Sequence, residues 1–76
     1  MLINGGNYFN ETALNELCNA LDNGETVDLY IDCIGHTRNN NEQEAYRSAL
    51  YDKYGEKLHV EIAKGSCSYY YTYKLK

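Results

Sequence analysis

The apolar pattern of this chain predicts a small two-layer α/β sandwich, with elements in the order β-α-β-α-β-β and two helices on one face of a mixed sheet. Three observations carry that prediction. Two segments repeat apolar residues at helical spacing, and three alternate apolar and polar residues with period two. A glycine turn separates the last two alternating segments, which makes them a hairpin.

The elements follow in order. Met1 to Ile3 is a short apolar start, stopped by the turn sequence Asn4-Gly5-Gly6-Asn7, and reads as a brief first strand. Asn10 is placed as an N-cap before Glu11, whose charge suits the positive end of a helix. Leu14, Leu17, Cys18 and Leu21 repeat at i, i+3, i+4 and i+7, so a helix is expected over residues 11–22. Asn23-Gly24 ends it, with Gly24 suited to a left-handed cap.

Thr26 to Ile34 reads as the second strand, with Val27, Leu29, Ile31 and Cys33 on one face and Asp28, Tyr30, Asp32 and Ile34 on the other. A polar connection over residues 35–40 leads to Asn41. That residue can cap a second helix, with Glu44 three positions on as in a capping box. Ala45, Tyr46, Ala49, Leu50 and Tyr54 form its apolar stripe, and Gly55 closes it. Leu58, Val60 and Ile62 then alternate with His59, Glu61 and Ala63 as a strand. A turn at Lys64-Gly65 or Gly65-Ser66 leads to the last strand, from Ser66 to Leu75.

Seventy-six residues allow one domain, residues 1–76, with one modest core. Apolar and charged contents are near globular norms, which argues against disorder. No apolar run approaches the length of a membrane span, and the start lacks the pattern of a signal peptide, so a cytoplasmic protein is expected. Three cysteines at wide, irregular spacing (Cys18, Cys33 and Cys67) do not form a secreted disulfide framework; each falls where a small buried hydrophobe is expected. Nine Asn and nine Tyr, with no Pro or Trp, make an uncommon mixture. Its AT-rich codons point to a low-GC bacterium or one of its phages.

Charge is sorted along the chain. Residues 1–37 hold six acids and no Lys or Arg, whereas residues 38–76 hold seven bases and five acids, for a net charge of −4 overall. Such a field bears on partner choice and association rate rather than on fold. If the apolar side of each strand meets the helices, parity assigns the opposite side to Asp28, Tyr30, Asp32, Ile34, His59, Glu61, Ser68, Tyr70, Thr72 and Lys74. Aromatic anchors among polar groups are the anatomy of a protein-binding patch, and Asp28, Tyr30, Asp32, Glu61 and Tyr70 are its candidate contact residues. The same face also reads as a solvated sheet surface whose tyrosines stack across strands.

Other chemistry has little support. Cys33 and His36 have one Cys-x-x-His spacing, with His59 and Cys67 distant, where a structural zinc site shows two such pairs; no metal or cofactor is expected. Asp28 and Asp32 would lie ~13 Å apart on one strand, too far for a coupled carboxylate pair. No Ser-His-acid arrangement has local support and the glycine turn lacks the rest of a phosphate loop, so no catalytic residue is assigned and no enzyme is expected. The net negative charge opposes direct nucleic-acid binding, although tyrosines beside Lys74 and Lys76 have the types that stack on bases.

The element order, the leucine-striped first helix, Asn23-Gly24-Glu25 leading into the second strand, and the closing hairpin with Tyr73 and Lys74 together resemble small bacterial sulfur-carrier proteins of the TusA type. The resemblance covers most of the chain in arrangement. That family's Cys-Pro pair at the start of the first helix is replaced here by Tyr8-Phe9-Asn10-Glu11, so no persulfide-bearing residue carries over.

The function expected is that of a non-enzymatic protein-binding module. Its sharpest form is a small acidic phage or mobile-element accessory protein that inhibits a nucleic-acid-binding defence or regulatory complex, as anti-CRISPR proteins do. An acidic surface without Lys or Arg imitates the spaced charge of a phosphate backbone. Two alternatives stand beside it: a self-associating assembly protein, a homodimer through a free edge on the last strand, and a small thiol carrier with one reactive cysteine.

Overall fold

The computed structural model describes residues 1–6, 8–31, 36–64 and 69–76, with side chains for residues 1–6, 8–31, 41–62 and 71–76. It is a small α/β sandwich: a four-stranded mixed sheet with two helices packed on one face. The strands are β1 (Leu2–Asn4), β2 (Val27–Tyr30), β3 (Leu58–Lys64) and β4 (Tyr69–Leu75); the helices are α1 (Glu11–Asp22) and α2 (His36–Tyr54).

Helix α1 has the ends its sequence encodes. Asn10 is extended, at φ −139° and ψ 119°, and its side chain accepts the N–H groups of Thr12 at 2.8 Å and Ala13 at 3.2 Å. Two of the donors that a helix N-terminus leaves unpaired are thereby satisfied. At the other end, Gly24 N–H donates to Leu21 O at 2.9 Å and Glu25 N–H to Ala20 O at 3.0 Å. This paired closure needs a left-handed residue, and Gly24 supplies it at φ +81°. Ala13, Leu17, Cys18, Ala20 and Leu21 face the sheet.

Helix α2 departs from expectation. It begins at His36, ahead of the Asn41 cap, so most of the expected polar connection is helical backbone. Its inward positions are Gln43, Tyr46 and Leu50, all fully buried, whereas Ala45 is exposed. A polar residue can hold the first inward site because Gln43 Nε2 donates to the carbonyl of Leu29 at 3.3 Å. The polar run His36-Thr37-Arg38-Asn39-Asn40 has no apolar stripe to reveal a helix in advance.

Strand β2 stops at Tyr30 rather than Ile34, with Ile31 buried just beyond. Asp32, Cys33, Ile34 and Gly35 lie outside the described residues, as do Gly65, Ser66, Cys67 and Ser68, where the hairpin turn and the start of the last strand were expected. A 3-10 turn, Gly55–Lys57, joins α2 to β3.

The sheet order is β1-β2-β4-β3. β1 runs parallel to β2, and β4 is antiparallel to both β2 and β3. The last strand therefore has a neighbour on each side, which overturns the expectation that it would leave a free edge. Among the described residues, the outer strands are β1 and β3.

Ile3, Val27, Leu29, Leu58, Tyr71 and Tyr73 from the strands, with Ile31 just past β2, pack with the buried residues of α1, and with Tyr46 and Leu50 of α2, in one cluster. Tyr46 ties three segments together. Its hydroxyl accepts the N–H of Asn10 at 2.9 Å and lies 3.3 Å from the carbonyl of Gly5, and its ring is 4.8 Å from that of Phe9. Tyr54 joins the helices by donating to Asp22 Oδ1 at 2.7 Å. Among the described residues, no helix is long and apolar enough to cross a membrane.

Candidate protein-binding surface

Because both helices lie on one side of the sheet, the other side carries the alternate residues of every strand. Strand register arranges them in rows. Leu2, Asp28, Thr72 and Glu61 are successive partners across the four strands, and Asn4, Tyr30, Tyr70 and Ala63 form the next row. His59 and Lys74 are partners in the row on the other side of Glu61 and Thr72. The face thus grades from Lys74 and His59 at one end, through two acids, to the tyrosine positions at the other.

Asp28 is half-buried and already engaged: Thr72 Oγ1 donates to its Oδ1 at 2.6 Å. This cross-strand bond holds the carboxylate upright on the sheet and leaves its other oxygen available as an acceptor. Glu61 is exposed two strands away, about 10 Å at ordinary strand spacing. His59 Nε2 lies 3.2 Å from Glu61 Oε1, the i,i+2 neighbour on the same strand face. Tyr30 is half-buried beside the Tyr70 position.

Of the five residues expected to make contact, the sheet gathers Asp28, Tyr30 and Glu61 on one face and sets the Tyr70 backbone between β2 and β3. The Tyr70 side chain and all of Asp32 lie outside the described residues. The reading from sequence did not include Leu2, which is 66% exposed on this face beside Asp28. Burial of Ile3, the middle residue of a three-residue strand, is the alternation signal that would have placed it.

The acids of the first half are not all open charge. Asp22 accepts from Tyr54 and lies 3.8 Å from Lys53 Nζ. Glu11, Glu16 and Glu25 remain exposed. In the second half, Glu42 accepts the N–H of Phe9, and Glu44 engages both Arg47 at 3.2 Å and the Tyr71 hydroxyl at 3.3 Å. The phenols of Tyr46, Tyr54 and Tyr73 are all harder to ionise than usual, chiefly because burial disfavours the charged form; for Tyr54 the bond to Asp22 adds to it.

Cys18, the described cysteine, packs in the core rather than at the surface. Cys33 and Cys67 lie outside the described residues. A surface hollow of about 260 Å³ runs along α2, lined by Arg47, Ser48, Tyr51 and Asp52. Comparison with protein-family models and with curated proteins finds no match for this chain.

Proposed function

We propose that this protein is a non-catalytic binding module that docks the open face of its sheet on a basic surface of a nucleic-acid-binding protein. The observation that supports it most directly is the pair of rows in which Asp28 and Glu61 stand beside the Tyr30 and Tyr70 positions, on a face that neither helix covers. Acids spaced about 10 Å apart, two strand intervals, complement basic side chains on a partner. Tyrosine supplies contact area with few rotatable bonds. Exposed Leu2 extends the apolar part of the surface.

In the form we favour, the protein is a phage or mobile-element accessory protein that occupies the nucleic-acid site of a bacterial defence or regulatory complex, in the manner of anti-CRISPR proteins. It then works in the cytoplasm and has no need of a cofactor. The test begins with affinity capture from a low-GC bacterial lysate at low and high salt. The captured complex is then challenged with a labelled oligonucleotide. Wild-type protein is expected to displace the oligonucleotide at low salt, and the variant carrying Asp28→Lys and Tyr30→Ala to lose that ability while its circular dichroism is unchanged. Equal displacement by wild type and variant, or capture without any displacement, would reject the reading.

A further inference from the structure

We propose that β3 is a dimerisation edge: two copies of this chain pair β3 against β3, antiparallel, about a two-fold axis through Val60, and the two sheets become one of eight strands. The backbone of β3 is arranged for it. Lys76 N–H donates to Lys57 O at 2.8 Å, so odd-numbered residues of this segment turn their peptide groups toward β4. Leu58, Val60 and Ile62 consequently turn theirs outward, along an edge where, among the described residues, the sheet order places no strand.

With Val60 opposite Val60, each copy donates Val60 N–H to the other's Val60 carbonyl and Ile62 N–H to the other's Leu58 carbonyl. Of these three residues, the one whose outward N–H has no donor role in the pairing is Leu58, and it is already bonded to Gly55 O within its own chain. The middle of the edge lacks some of the usual defences, the charges of this strand being Glu61 on the open face and Lys64 at its end. Between Leu58 and Ile62 there is no proline, and on the helix-facing side the residues are Leu58, Val60 and Ile62, with no charge among them. Ile62 is 59% exposed there and would lie against Leu58 of the second copy, itself part of the core.

Charge selects the partner and the register. In the Val60 register, His59 of each copy stands opposite Glu61 of the other on the open face, repeating across the axis the contact the two residues make within one strand. Slipping one way by a residue pair sets Glu61 against Glu61, which is repulsive. Slipping the other way sets His59 against His59 and brings Ile62 opposite Glu56, a residue of the 3-10 turn rather than of a strand. The occupant this edge complements is therefore another copy of itself.

Sedimentation of the full chain over a concentration series tests this, together with three variants. Wild type is expected to be dimeric at tens of micromolar. Ile62→Pro removes an outward N–H at an exposed edge position and should be monomeric with an unchanged circular dichroism spectrum. Glu61→Lys should weaken the dimer about tenfold, and the double variant H59E/E61K, which restores opposite charges only in the Val60 register, should recover wild-type affinity to within about threefold. A wild-type chain that stays monomeric, including one whose edge is instead filled by another protein, overturns the proposal. So does a dimer indifferent to Ile62→Pro, or a double variant as weak as Glu61→Lys, since each would locate the contact elsewhere.

Discussion

Gly5 shows how little spare room the core has. A Cβ placed there would come within 2.7 Å of Ile31 Cδ1 and 3.1 Å of the Tyr46 hydroxyl. Neither neighbour can move freely, because Ile31 is fully buried and Tyr46 is held by Asn10 and Phe9. Gly5→Ala is therefore expected to destabilise the fold by about 1–3 kcal/mol, the usual cost of overpacking. Thermal unfolding of the variant checks it, and an unchanged midpoint would mean that the Tyr46 anchor gives way without cost. In sequence, Gly5 read only as part of a turn. Its close approach depends on Tyr46, 41 positions away, and no local pattern contains that distance.

Elements with local signals were legible, and those defined by distant partners were not. The bounds of α1 follow from Asn10, the leucine stripe and Gly24, all within a few residues of the helix they delimit. Removing the cap with Asn10→Ala should cost about 1 kcal/mol in chemical denaturation, with the slope unchanged, since the two backbone bonds it makes belong to one helix end. A cost near zero would show that water replaces the side chain fully. The start of α2 was hidden because its first turns are polar, and Gln43 holds an inward position that periodicity reserves for an apolar residue. Parity assigned Asp28, Tyr30 and Glu61 to the open face correctly, because alternation is local. Their arrangement in rows required the strand order, which no residue announces.

Over the whole molecule, buried phenols couple stability to pH. Tyr46, Tyr54 and Tyr73 all hold their protons more tightly than the ordinary value of 10.0. Their contribution is complete below about pH 10, where the unfolded chain also keeps these protons, and it is lost as pH rises toward the folded values. An alkaline titration should therefore show cooperative loss of ellipticity above about pH 10, with part of the tyrosinate absorbance appearing only as the chain unfolds. Ionisation of every tyrosine with the fold intact would contradict the burial assigned to these rings. The same scale explains why the sorted charge of the sequence was only partly a guide to the surface. The fold brings Lys53 to Asp22 and Lys74 onto the open face, mixing signs that are far apart along the chain.

The position of β4 also dictates an order of assembly. As the chain leaves the ribosome, β1, β2 and β3 all emerge before the strand that must lie between the latter two. Until then, β1 and β2 can pair as a parallel couple, but β3 has no partner in this sheet. Closure of the sheet thus waits on β4, through pairings such as Asp28 with Thr72 that span 44 residues. Such non-local closure slows folding. A chain shortened to end before Tyr69 would lack the strand that joins β2 to β3, and limited proteolysis is expected to cut it faster than the full sequence.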